Sequence, residues 1–220
     1  MEAGTLKVTA AGGISSSSAL NVRSGALLDL TSVASYTASA GQSIAGSGAI
    51  SSQSMTVAGL IQTHDTANAI GTLNVTNSGT FTLADGATFA LNLGTSAGDR
   101  LVASGEVSLG TIGSDTIALT LNLVSQPMDG MVYTILAAGD GLLTNNGLFS
   151  YNGTVLEDQA FFDVLSNGYS QRFQINYGST GDTLTAVDAV PEPGTWAMML
   201  GGLAALAFSQ KARRRLKGHA

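Results

Sequence analysis

The chain has few residues that could do chemistry. It holds 15 Asp and Glu, 9 Lys and Arg, 2 His and no Cys among 220 residues. Glycosidases work with two carboxyl groups held roughly 5–9 Å apart. The sequence offers Glu157 and Asp158 with Asp163, and Asp182 with Asp188. Adjacent side chains on a strand point to opposite faces, which makes Glu157 and Asp158 a poor pair. Solvated loop acids are the simpler expectation. The same divergence separates His64 from Asp65, and His64 is expected at the surface. Arg23, Arg100 and Arg172 are too dispersed to define a polysaccharide-lyase site. Ser15-Ser16-Ser17-Ser18 reads as a polar corner loop, because no Gly-X-Ser-X-Gly elbow supports a nucleophile.

Metals and cofactors have no platform either. Without Cys there is no disulfide scaffold, thiolate zinc site, iron–sulfur cluster or cysteine nucleophile. Neither the EF-hand spacing nor the repeated Gly-Gly-X-Gly-X-Asp of a calcium β-roll occurs. The sequence therefore points to no catalytic, metal or cofactor-binding residue. Charge is unevenly placed. Residues 1–190 carry four basic and fourteen acidic side chains, whereas residues 191–220 carry five basic ones against Glu192. An acidic body with no basic, aromatic-lined patch excludes a nucleic-acid partner.

The elements that would position any site follow from composition. Gly, Ser, Thr and Asn make up 86 residues, and hydrophobic residues still reach 44%. That hydrophobic share argues against disorder. A small pattern recurs from Gly4 to Leu109: a glycine, one or two residues, then alternating apolar positions. Gly25-Ala26-Leu27-Leu28-Asp29-Leu30 and Gly86-Ala87-Thr88-Phe89-Ala90-Leu91 are examples, and Gly4, Gly71, Gly79 and Gly105 open others. Period-2 alternation predicts short half-buried strands, with glycine at the corners. Irregular spacing of the units suits a coarse solenoid whose coils bury one another's apolar faces. A β-sandwich is the alternative. Residues 111–189 differ in texture. Aromatic clusters surround Phe161-Phe162 and Phe173 to Tyr177, and turn chemistry occurs at Asn145-Asn146-Gly147 and Ser179-Thr180-Gly181-Asp182. They are expected to form antiparallel hairpins that cap the stack.

The expected fold is all-β: a parallel β-helix or solenoid with a C-terminal antiparallel β cap, followed by one C-terminal transmembrane helix. The expected divisions are 1–110 for the solenoid, 111–189 for the cap and 190–217 for the terminal segment. In that segment Trp196 to Phe208 has no polar side chain, and Gly194 to Gln210 gives seventeen residues, near the lower limit for a span. Trp196, Met198, Met199, Leu200, Leu203, Leu206 and Phe208 are the anchor positions. Lys211, Arg213, Arg214, Arg215 and Lys217 follow as a cluster that the positive-inside rule puts in the cytoplasm.

Val190-Pro191-Glu192-Pro193, the short apolar stretch and Arg213-Arg214-Arg215, in that order, closely resemble the PEP-CTERM sorting signal of Gram-negative bacteria that make extracellular polysaccharide. The resemblance implies export, transient inner-membrane anchoring and processing by an exosortase. It makes Pro191, Glu192 and Pro193 recognition residues. The two prolines also keep Glu192 extended and outside any helix. Met1 to Lys7 is not a signal peptide, so the chain is expected to be the C-terminal part of a longer protein or to have a miscalled start.

A second resemblance covers about half the chain. Ile70 to Val75, Phe81 to Leu83, Phe89 to Leu91 and Asp99 to Gly105 look like autotransporter-associated β-strand repeats. Pro127 to Leu136, Phe173 to Tyr177 and Thr183 to Val187 resemble their usual continuation. This implies a right-handed parallel β-helix serving as a passenger-like stalk. The expectation is a non-enzymatic structural or adhesive protein. It is inserted through the inner membrane, processed by an exosortase, then displayed or secreted in contact with extracellular polysaccharide. The alternatives are a carbohydrate-active β-helix enzyme, lyase or glycosidase, and the distal fragment of an autotransporter-like adhesin.

Overall fold

The computed structural model describes residues 1–9, 13–113, 115–139 and 142–187. Six coils follow one another among the described residues. The first contains β1 (Gly4–Lys7) and β2 (Ala19–Asn21), and the second β3 (Ala26–Asp29), β4 (Ser35–Ala38) and β5 (Ser43–Ala45). The third contains β6 (Ala49–Ser52), β7 (Ser54–Val57) and β8 (Leu60–Gln62). The fourth contains β9 (Thr72–Asn77), β10 (Phe81–Leu83) and β11 (Thr88–Leu93). The fifth contains β12 (Arg100–Ala103), β13 (Val107–Leu109) and β14 (Asp115–Leu123), and the sixth β15 (Val132–Ala138), β16 (Leu143–Asn145) and β17 (Gly147–Tyr151). Equivalent strands pair in parallel. They form sheet I (β1-β3-β6-β9-β12-β15), sheet II (β4-β7-β10-β13-β16) and sheet III (β2-β5-β8-β11-β14-β17). The expected parallel β-solenoid is thus present.

Register explains the alternation. Tyr36, Met55, Phe81, Val107 and Leu143 stack as one inward row of sheet II, all buried. Leu20, Ile44, Ile61, Phe89 and Leu119 make the matching row of sheet III. A single short strand has nothing to cover its apolar face, whereas each stacked Leu or Phe gains about 1.5–3 kcal/mol from burial. The rings of Phe89 and Phe149 stack at 6.1 Å between centroids, and Phe149 stacks in turn on Tyr177 at 6.1 Å.

The opening glycines do two different jobs. Gly4, Gly25 and Gly86 have φ of +88°, +81° and +74° and are true left-handed corners. Gly71, Gly79 and Gly105 are not. A side chain there would run into Thr63 O, Ser54 Oγ or Asn77 O of the preceding coil, so they permit close stacking instead.

The solenoid extends past residue 110, contrary to the division read from sequence. β14 runs parallel to β11 with Leu91 opposite Leu121, and β17 runs parallel to β14. Asn145-Asn146-Gly147 is therefore a corner between sheet II and sheet III, where β16 and β17 each run parallel to the preceding coil. The change in texture at residue 111 reflects longer strands, such as the nine-residue β14, and not a change of pairing. Antiparallel structure begins with β18 (Thr154–Val155), which folds back on β17. β19 (Phe161–Ser166), β20 (Tyr169–Asn176) and β21 (Gly181–Val187) then add to sheet I through the antiparallel β15–β21 pair. Ser179 to Asp182 lies at the β20–β21 turn, as its composition predicts. Among the described residues no helix is long and apolar enough to cross a membrane. The expected transmembrane helix lies outside the described residues.

Candidate functional site

The segment after β8 turns outward and lies over the outer face of sheet III. It brings His64 against Asp99, with Nδ1 2.6 Å from Oδ2. His64 is 9% exposed and Asp99 is fully buried, so the surface position expected for His64 is wrong. The acid that orients it lies one coil further on, and Asp65, its sequence neighbour, does not. Asp65 instead accepts the Ser47 N–H at 2.9 Å and the Ser47 hydroxyl at 2.8 Å.

Asp99 is a node. Its Oδ1 accepts the Gly71 N–H at 2.6 Å, and its Oδ2 also accepts the Asn92 N–H at 2.8 Å. Burial pushes the carboxyl above its ordinary range, against the opposing pull of these donors and of His64. With Nδ1 directed at Asp99, His64 Nε2 has no partner among the described residues. The His64 residue borders a groove of about 330 Å³ lined also by Gln62, Ala90, Asn92, Thr120 and Asn122. Register makes this lining. Gln62, Ala90 and Thr120 share one outward row, and Asn92 and Asn122 share the next. Asn122 Nδ2 donates to Asn92 Oδ1 at 2.7 Å, and Asn122 Oδ1 accepts Asn167 Nδ2 at 2.7 Å, which ties the cap to the coil.

The paired acids read from sequence are not brought into one site. Asp158 Oδ1 accepts the Tyr177 N–H at 3.0 Å. Asp163 is exposed and sits 4.0 Å from the Arg172 guanidinium, which lies over Phe161. Asp182 is fully buried between Gly178 N and Asn145 Nδ2, and burial pushes its carboxyl up to about 7. Asp188 lies outside the described residues. Elsewhere carboxylates hold corners: Asp29 accepts the hydroxyl and N–H of Thr31, and Asp115 accepts those of Thr111. Those bonds hold both carboxyls below the usual range. No group of three or more His, Cys, Asp or Glu suited to a metal ion occurs among the described residues. The Asp99 node was not legible in the sequence, because its partners sit at offsets set by coil lengths that vary.

The described residues thus define a parallel β-solenoid with an antiparallel β cap. Residues 189–215 match the family model of the PEP-CTERM protein-sorting motif. No curated protein and no solved structure matches the chain. The match spans Pro191, Glu192 and Pro193, the anchor positions Trp196 to Phe208 and the basic run Arg213 to Arg215, all outside the described residues. The chain therefore carries a signal for sorting by an exosortase-type enzyme to the cell envelope. That signal implies a transient membrane-associated state and a cell-surface or secreted destination.

Proposed function

We propose that this protein is a non-enzymatic structural or adhesive solenoid of the cell surface that associates with extracellular polysaccharide. In this reading Trp196 to Phe208 form a single-pass inner-membrane anchor, Lys211 to Lys217 stay in the cytoplasm, and an exosortase releases or relocates the body at the Pro191-Glu192-Pro193 motif. The likeness to autotransporter-associated repeats fits a passenger-like stalk. The sorting match at residues 189–215 carries the proposal. Two features of the body support it. Asp99 and Asp115 are spent on backbone donors and Asp29 on its own corner, and the outward rows of the coils are rich in Ser, Thr and Asn that suit glycan hydroxyls.

The experiment is deletion of Pro191 to Pro193 in the native host. The variant should accumulate at full length in the inner membrane, and release at the wild-type rate would overturn the sorting role. The second reading, a carbohydrate-active β-helix enzyme, is favoured by one observation: the Asp99-oriented His64 borders the groove of Gln62, Asn92 and Asn122.

A further inference from the structure

A second groove, of about 620 Å³, runs along the corner where each coil passes from sheet III to sheet I. It takes residues from five successive coils. Ser24 precedes β3, Ser47 precedes β6, Gly71 precedes β9, Gly98 precedes β12, and Met131 precedes β15. Stacked strands are spaced by roughly 4.8 Å, about the length of one sugar unit, so a linear glycan can lie lengthwise with successive sugars over successive coils.

Small residues keep the floor low. A side chain at Gly98 would meet Leu93 Cδ2 at 2.7 Å and Tyr133 Cδ1 at 2.8 Å. The walls offer hydroxyls from Ser24, Ser47, Thr72 and Thr134 and the amide of Asn74. Ile70 and Val132, both partly exposed, give an apolar rim for the C–H faces of sugar rings.

Charge identifies the ligand class. Residues 1–190 hold four basic side chains. Lys7 pairs with Asp29 at 3.8 Å, Arg23 with Glu2 at 2.8 Å and Arg172 with Asp163 at 4.0 Å. Arg100 alone makes no ion pair or side-chain hydrogen bond among the described residues, and it is the only charged residue lining the groove. A planar guanidinium presents a fork of donors that matches a carboxylate. The body as a whole is acidic, but at physiological salt its distant charges are screened beyond roughly 8 Å. At the Ser24–Ser47 end, Asp65 would repel an anion, so neutral hydroxyls belong there and the carboxylate belongs at Arg100.

We infer that this corner groove binds an acidic, uronate-bearing polysaccharide lengthwise, with a sugar carboxylate on the Arg100 guanidinium. The inference rests on the polysaccharide association proposed above and names its site. The test uses the full chain in detergent, titrated calorimetrically with oligogalacturonate and, in parallel, with a neutral dextran oligosaccharide of equal length. Wild type should prefer the oligogalacturonate. Arg100→Gln should weaken that binding by about tenfold or more with unchanged circular dichroism and Tm, because Arg100 has no protein partner to lose. Arg172→Gln, a change of charge elsewhere, should bind as wild type does. Binding by Arg100→Gln within about twofold of wild type, or equal affinity for the neutral oligomer, overturns the inference. Native extracellular polysaccharide held equally by wild type and Arg100→Gln would refute the groove and leave the wider association standing. Failure of wild type to hold any would refute both.

Discussion

Asp99 and His64 are 35 residues apart in sequence and 2.6 Å apart in the fold, and through this contact one carboxylate joins the segment after β8, strand β11 and the start of β12. Asp99→Ala would leave the Gly71 and Asn92 N–H groups and an imidazole nitrogen without their acceptor inside the protein. Each orphaned buried donor costs about 1–3 kcal/mol. The expected loss in urea unfolding is on the order of 3 kcal/mol or more. Asp99→Asn should lose less, since one oxygen still accepts. A change below about 1 kcal/mol for Asp99→Ala would show that solvent reaches the node and that it does not hold the coils together.

Asp182 sets a pH dependence. Its carboxyl is fully buried, and Oδ2 has no partner. The facing Asn145 has an orphan of its own, Oδ1, while Asn145 Nδ2 donates to Asp182 Oδ1 at 3.2 Å. Burial is the main cause of the rise to about 7, the N–H groups of Gly178 and Asn145 oppose it, and Asp158 adds to it. From the ordinary range near 3.8 up to about 7, the folded state therefore binds a proton at Asp182 that the unfolded chain has released. The stabilisation is complete below that window and is lost as pH rises through it. Asp182→Asn removes the ionisation and places an amide donor beside Asn145. The variant should be more stable than wild type at pH 8 and close to it at pH 4, as read by Tm across the range. A wild-type-minus-variant difference that stays flat from pH 4 to pH 8 would contradict a buried titrating carboxyl.

The sequence made part of this arrangement legible. Inward rows such as Leu20, Ile44, Ile61, Phe89 and Leu119 follow from strict alternation, which is local and survives loops of any length. The six Gly-led units did mark stacking, although Gly71, Gly79 and Gly105 serve close approach and not corner geometry. What alternation cannot give is the phase between coils. Ala26 pairs 22 residues back with Gly4, while Leu136 pairs 35 residues back with Leu101. Partners such as His64 and Asp99, or Asn92 and Asn122, are fixed by that phase, so the outer-face polar groups could not be matched beforehand. The same uncertainty hid the continuation of parallel coiling through β14 to β17.

The enzyme reading makes a separate prediction through His64. A lyase removes the proton α to a uronate carboxylate, and it needs both a base and a cation that neutralises the carboxylate. His64 borders the groove of Gln62, Asn92 and Asn122 and shares a small cavity with Arg23, but Arg23 is paired with Glu2 at 2.8 Å, while the unpaired Arg100 lines the corner groove. A glycosidase needs two carboxyl groups flanking one bond, yet Asp99 is buried among Gly71, Asn92 and His64. The scaffold proposal expects binding without turnover. Full chain incubated with oligogalacturonate or a neutral oligosaccharide should generate neither new reducing ends nor the ultraviolet absorbance of an unsaturated uronate. If products do form, and His64→Asn abolishes them with Tm unchanged while Arg100→Gln only weakens binding, then the dyad is an active-site pair and the scaffold reading fails. Product formation that persists in His64→Asn with an unaltered pH profile would place the chemistry away from the dyad and still overturn the non-enzymatic proposal.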